Sequence, residues 1–314
     1  MKVLFLFLDG IGLGIDDPEI NPFAKVQMPN LQGILGGNKL LMDSIHASGG
    51  RRLESTRASL VALDAGLGVA GLPQSATGQA ALLTGRNVPA ELSYHYGPKP
   101  NQEVAAQLKN GNLFSMLSQE GFKSGLLNAY PPGYFSAIQS GRRLYSAIPL
   151  AVTHAGIPLK TIDDLFEGQA LSADFTAQGW RDRLDLPDTP VLTPVQAGER
   201  LAALGREYDL SFFEYWLSDY AGHGQNMQAA QELLTTFDLV MGTLFARWDD
   251  RQGVILITSD HGNMEDLSTR RHTSNPVPAL IVGDKKLRDD FTKDLDDLTG
   301  VTPAVLGIIR RVAL

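Results

Sequence analysis

The chain of 314 residues contains no cysteine, which excludes disulfides, thiolate nucleophiles and thiolate metal ligands. Runs of basic residues are scarce as well. The arginines gather only in pairs, at Arg51-Arg52, Arg142-Arg143, Arg270-Arg271 and Arg310-Arg311, and 35 acidic residues outweigh 27 basic ones to give a net charge of -8. Such a chain repels nucleic-acid phosphates, so no nucleic-acid partner is expected. Long apolar runs are also missing. The first one ends at Asp9-Gly10, too short for a membrane span or an ordinary export signal, and the expectation is a soluble, cytoplasmic protein with no membrane partner. Oligomeric state is not readable from the sequence. Three motifs are absent: the phosphate-binding Gly-x-x-x-x-Gly-Lys loop, the His-Glu-x-x-His helix and the Gly-x-Ser-x-Gly elbow.

What is present has an α/β order. Residues 2 to 8 and 254 to 258 are continuous apolar segments closed by polar residues, as buried parallel strands are, and 209 to 216 is a third such segment. Between the last two, residues 226 to 248 repeat apolar side chains at helical spacing, which predicts a βαβ-like unit. A helix at 112 to 120 with an apolar segment at 125 to 130 suggests another unit, and 301 to 312 reads as a terminal helix. The middle, at 86 to 105 and 131 to 195, is irregular and reads as long connections or a small lid. A single domain over 1–314 is expected, with 87–208 supplying part of the core and a lid over substrate access.

Acidic residues and histidines collect where these strands end. Asp9 follows the first, Asp219 and His223 follow the 209 to 216 segment, and Asp260-His261 follows the last. Ligands of open α/β sheets bind beyond the carboxyl ends of the strands, and a short loop returns His272 to the same region. Carboxylate and imidazole together suit Mn²⁺, Zn²⁺, Mg²⁺ or Fe, and such sets hold ion pairs about 3.5 to 4 Å apart. Spacing alone also allows a plainer reading, with Asp219 capping a turn, His223 in solvent and Asp260-His261 a polar strand end.

Ser75 lies in GLPQSATGQAALLTG, where a turn leads into an apolar helix. At a helix start a serine either caps the helix or faces an anion, and Thr77 is a rival nucleophile. Metal ions would activate either hydroxyl. The glycines of DGIGLG at 9 to 14 could cradle a phosphate but do not match the dinucleotide signature, so no nucleotide cofactor is expected. Arg86, Arg142, Arg143, Arg270 and Arg271 read first as solvated or salt-bridged surface charges, with oxyanion clamps as the alternative. His46, His95 and His154 have no ligand-type neighbours, while Asn263 and Glu265 are open between structural and supporting roles.

The segments LDGIGLG, GLPQSATGQAALLTGR, SDYAGH, TSDHGNMED and RHTSNPVPAL, with MPNL at 28 to 31, resemble the alkaline phosphatase superfamily. The resemblance is to its metalloenzyme branch, which contains cofactor-independent phosphoglycerate mutase and phosphopentomutase. It implies a three-layer α/β/α core around a mostly parallel sheet. It also implies two divalent ions, Mn²⁺ or Zn²⁺ by preference, one held by Asp9, Ser75, Asp260 and His261 and the other by Asp219, His223 and His272, with Asp266 nearby in a weaker role. Ser75, rather than Thr77, matches the phosphoryl-accepting nucleophile by its distance from Thr84-Gly85. Arg86, Arg271 and Gln79 are the weaker substrate-binding candidates.

Two departures bear on the outcome of the reaction. Gln79 stands where the mutase pattern has a histidine, and the segment between Arg86 and the strand at 209 is too short for the large mutase insertion. The expectation is hydrolysis of a small phosphoester through a phosphoserine. The alternatives are an intramolecular phosphomutase of a small sugar phosphate or phosphoglycerate, a sulfatase, or a metal-binding protein without catalysis.

Overall fold

Apolar residues in the first strand alternate between two faces, and that alternation builds the molecule in layers. The computed structural model describes residues 1–311. Seven strands make one sheet: β1 (Lys2–Leu8), β2 (Arg52–Glu54), β3 (Ala58–Leu63), β4 (Ser124–Leu126), β5 (Leu210–Tyr215), β6 (Gly253–Thr258) and β7 (Val277–Val282). Their order across the sheet is β2-β3-β7-β6-β1-β5-β4. Pairings β1/β5, β1/β6 and β4/β5 are parallel, while β6/β7, β3/β7 and β2/β3 are antiparallel. Only β2 and β7 therefore run against the other five, and the sheet is mostly parallel as expected.

Val3, Phe5 and Phe7 of β1 face one core with Leu210, Phe212, Val254 and Leu256, whereas Leu4, Leu6 and Leu8 face the other with Phe213, Ile255 and Ile257. Both faces are covered, so β1, β5 and β6 read as unbroken apolar runs. Helices Ser75–Thr84, Gln102–Asn110, Leu113–Gln119, Ala147–His154 and Val301–Ile309 pack on the first face. Helices Pro29–Ile34, Pro194–Leu204 and Met227–Arg247 pack on the second. The result is a mixed three-layer α/β fold.

The expected βαβ-like unit is present, with β1 lying between its two parallel strands. Helix Met227–Arg247 does connect β5 to β6, but those strands flank β1 and do not pair with each other. The chain crosses over β1, which pairs with both strands. The terminal helix ends at Ile309, and the last position expected in it, Val312, lies outside the described residues. The irregular middle is mostly short helices: several join the core, while Leu165, Ala170, Ala177 and Trp180 make a small separate cluster. Among the described residues no helix is long and apolar enough to cross a membrane.

The motif MPNL opens helix Pro29–Ile34, where the buried Asp238 carboxylate accepts from the backbone N–H groups of Asn30 and Leu31 at 3.2 and 2.8 Å. This fastens the early segment to helix Met227–Arg247. Its effect is structural, through the otherwise unpaired donors of a helix start.

Phe212 joins several of these elements, with its ring 4.4 Å from Phe5, 6.4 Å from Phe7 and 5.5 Å from Phe114, centroid to centroid. Phe212→Ala removes that buried ring and is expected to cost about 3–5 kcal/mol, read as a lower denaturant midpoint at unchanged slope.

Candidate metal centre and nucleophile

Parallel pairing with β1 in the middle brings the carboxyl ends of β5, β1 and β6 to one edge, with Leu8 opposite Tyr215 and Phe7 opposite Thr258. Asp9, helix Leu217–Gly224 and Asp260 leave from that edge. Gly10 follows at φ +68°, and a Cβ there would stand 2.7 Å from the Asp219 carboxylate. The glycine therefore makes room for an acid. The N–H groups of the next residues are spent inside the protein, Ile11 on Ser259 Oγ at 2.9 Å and Gly12 on Glu265 at 2.9 Å. This loop gathers side chains and does not act as a phosphate cradle.

Three imidazoles close the cluster, each with its Nδ1 beside a backbone carbonyl. His223 pairs with Arg270 O at 2.7 Å, His272 with Pro73 O at 2.8 Å and His261 with Gly262 O at 3.3 Å. A carbonyl only accepts, so each Nδ1 is the donor and each Nε2 is left to face the carboxylates. His223 Nε2 is 3.4 Å from Asp219, His272 Nε2 is 3.8 Å from Asp219, and His261 Nε2 is 3.4 Å from Asp9 and 3.6 Å from Asp260. The His261 and His272 rings stack at 3.7 Å. His223 is exposed, as the plainer reading had it, yet its Nε2 still faces Asp219 because Asp219 and His223 share a helix face at i and i+4.

Ser75 begins helix Ser75–Thr84, after an N-cap at Gln74. Its hydroxyl is not a cap: Oγ lies 3.0 Å from His261 Nε2. The Thr77 hydroxyl is tied instead to the Gln74 and Tyr96 carbonyls. Gln79, one turn along, donates to Asp260 at 3.0 Å and to Asp9 at 3.4 Å. The structure thus gathers Asp9, Ser75, Gln79, Asp219, His223, Asp260, His261 and His272. Arg86 is a correction. It sits past the opposite end of this ten-residue helix, about 15 Å along the axis, with its guanidinium neutralised by Glu91. Arg271 is exposed beside His272, and Arg270 is occupied with Gln225. Asp266 accepts from Ser268 in a local turn and takes no part.

Two residues left open by the sequence prove to be supports. Glu265 is buried and accepts from the N–H groups of Gly12 and Asn263, from Asn275 Nδ2 and from the Thr273 hydroxyl, so one carboxylate fastens the loop after β1 to both ends of the β6–β7 connection. Asn263 donates to Asp219 at 2.7 Å. Another buried acid, Glu214 on β5, was hidden inside an apolar strand and accepts from Tyr130 Oη at 3.2 Å. Only the period-2 alternation that places it on the Ser75 face of the sheet could have marked it.

The field at the cluster is negative. Burial pushes Asp9 well up, with the charges of Asp260 and Asp219 acting the same way, and burial raises Asp260 too. Burial works against a charged His261, but Asp260, Asp9 and Asp219 outweigh it and push it up to about 10. Burial and the neighbouring His261 lower His272 to about 4. Asp9 Oδ1 is buried without a hydrogen-bond partner. Converging acids, an orphaned oxygen and Nε2 atoms turned inward fit divalent cations. The side chains fall into two sets, Asp219 with His223 and His272, and Asp9 with Asp219 and His261, so Asp219 is common to both.

The family model described as the Metalloenzyme superfamily matches residues 196–310. The 2,3-bisphosphoglycerate-independent phosphoglycerate mutase of Acetivibrio thermocellus is 34% identical over 113 residues, covering 33% of this chain and 21% of that protein. The same enzyme of Thiobacillus denitrificans is 33% identical over 128 residues, covering 38% and 25%. The chain therefore spans about a quarter or less of the length of these relatives. Among solved structures, a Pyrococcus horikoshii protein superposes with a TM-score of 0.57 at 15% identity, covering 100% of this chain and 98% of that one. An Antarctic bacterial alkaline phosphatase gives 0.51 at 12%, covering 99% and 98%. These two likenesses concern the fold.

Removing Glu265 with Glu265→Ala should loosen both connections and weaken divalent-cation binding by about 10–100-fold, measured by calorimetry on folded protein. Glu214 gives a pH test in the absence of divalent ions. Burial is the main cause that pushes it up to about 7, so its contribution to stability is whole below its ordinary value near 4.5 and is lost as pH rises through 7. Glu214→Gln should therefore gain up to about 3 kcal/mol on the wild type between pH 5 and pH 8 in denaturant titrations.

Proposed function

We propose that the chain carries an alkaline-phosphatase-superfamily metalloenzyme core and transfers a phosphoryl group of a small phosphoester through Ser75, as an intramolecular phosphomutase. The observation that carries this reading is the Ser75 hydroxyl, 3.0 Å from His261 Nε2 at the start of a helix and at the rim of a cluster of inward-facing acids and imidazoles.

Asp9, Asp260, His261 and Ser75 would hold one divalent cation, and Asp219, His223 and His272 the other. When bound, such ions stabilise a serine alkoxide and the charge on a phosphoryl group. Ser75 Oγ attacks phosphorus, the ester oxygen leaves, and a phosphoserine remains. The start of helix Ser75–Thr84 turns its partial positive charge toward that group. Gln79 orients the Asp9 and Asp260 carboxylates by donating to both. Return of the phosphoryl group to another hydroxyl of the same carrier gives a mutase. The similar curated proteins are mutases, which supports this outcome over the hydrolysis expected from the sequence.

Hydrolysis is the second reading, on one observation. Gln79 puts a neutral amide where the mutase pattern has an imidazole, so that side chain cannot exchange a proton. The segment 87–208 belongs to the same single-domain reading as the part that shapes substrate access.

Ser75→Ala should lower phosphoester turnover by at least about a thousandfold while leaving the protein folded, and a chelator should abolish turnover until Mn²⁺ or Zn²⁺ is restored. Unchanged turnover in Ser75→Ala would overturn the mechanism. Incubation of a sugar phosphate in ¹⁸O-labelled water decides the outcome: isomerised product without label or free phosphate is the mutase result, and labelled phosphate is the hydrolase result.

A further inference from the structure

Next to the acidic cluster, the same face of the sheet carries polar groups that the phosphoryl chemistry does not use. Glu214 lies opposite Phe7, two residues short of Asp9. Its carboxylate accepts from Tyr130 Oη at 3.2 Å, the Tyr134 ring lies 4.4 Å from that of Tyr130, and the Arg143 guanidinium lies 5.0 Å above the Tyr134 ring. Tyr134 is only 8% exposed, yet its hydroxyl is buried with no hydrogen-bond partner. A hydroxyl left so costs about 1–3 kcal/mol, which a ligand group could recover.

Arg143 borders this place, and Lys99 lies within range of the Arg143 charge. Arg143 makes no ion pair among the described residues, and neither does Lys99. Lys99 follows Gly97 by two residues, and Gly97 packs so tightly on the helix start that a Cβ there would stand 3.2 Å from Ser75 N. Partial burial lowers the Lys99 pKa, and the charge of Arg143 adds to that. The two are thus neighbours of like sign, an arrangement an anion relieves.

We propose that Tyr134, Glu214, Arg143 and Lys99 seat the part of the substrate that is not transferred, and that this part bears a hydroxyl and a second anionic group. Tyr134 donates to the hydroxyl oxygen and Glu214 accepts its proton, while Arg143 and Lys99 hold the carboxylate or second phosphate. The proposal rests on Ser75 being the phosphoryl acceptor, and it assigns specificity to the chain between 97 and 145 together with β5.

The test is equilibrium binding to metal-loaded Ser75→Ala protein, which cannot turn its ligand over. The probes are glycerol phosphate, a phosphoglycerate and a pentose bisphosphate. One of the two doubly anionic probes should bind at least about tenfold more tightly than glycerol phosphate, and which one does so identifies carboxylate or phosphate as the recognised group. Adding Arg143→Gln or Lys99→Gln should bring that ratio close to one, with divalent-ion binding retained as evidence of an intact fold. Tyr134→Phe should weaken all three probes by a common factor. A ratio near one in Ser75→Ala, or a ratio unmoved by both cation variants, overturns the pocket. If the wild type still turns over a phosphoester in that event, the proposed function survives without it; if the wild type turns over none and Ser75→Ala binds none, both fall.

Discussion

Asp9, Asp219 and Asp260 converge at one edge of the sheet, and the mutual repulsion of their charges is the constraint around which the surrounding structure is arranged. Two like charges about 4 Å apart cost about 4 kcal/mol at a protein-like effective dielectric. The sheet forces the convergence, since β1 lies between its two parallel neighbours and all three strands end together. Relief comes from whatever positive charge can be placed among them. In the protein alone that is the His261 proton, held to about 10 by the surrounding acids. A divalent cation meets the same demand, and the Nδ1 contacts of the three histidines already turn their Nε2 atoms toward it.

Much of this was legible because strand ends announce themselves. Asp9 and Asp260 each close an apolar run, and the i, i+4 spacing of Asp219 and His223 follows from a helix leaving the same edge. The supports were harder to see. Glu265 looks in sequence like one more acid in a polar loop, and its importance lies in donors from the loop after β1 and from both ends of its own loop, which only folding brings together. Glu214 sits in an apolar strand, where one polar residue is easily taken for an exposed position. The carbonyls of Pro73, Gly262 and Arg270 left no trace at all, since every residue has a carbonyl. The strand order was also out of reach. Nothing local in β5 or β6 says that β1 separates them, and a βαβ-like unit is compatible with either order.

Arg86 shows the opposite failure, a residue that looked useful because it stood near a motif in sequence. A helix separates its ends by its length, so closeness in number to Ser75 became distance in space, and Glu91 took the charge. Arg143, far away in sequence and read with the other arginines as a clamp or a surface charge, comes instead to lie over Tyr134.

These positions bear on whether the phosphoryl group returns to its carrier or goes to water. A carrier bound only through its phosphoryl group loses its anchor once Ser75 takes that group, and it leaves at a rate set by what still holds it. Each 1.4 kcal/mol of remaining interaction multiplies its residence by about ten. A pocket that pairs a buried hydroxyl and two unpaired cations with the untransferred part would supply that retention. Isomerisation also requires the carrier to turn so that a second hydroxyl meets the phosphoserine, so the anchor must hold a group about which the carrier can pivot. A terminal anion does this better than an apolar face, because charge–charge attraction tolerates rotation while shape complementarity does not. On this argument the outcome is decided less by Gln79, whose amide donates to Asp9 and Asp260, than by Arg143 and Lys99, which would govern how long the carrier stays.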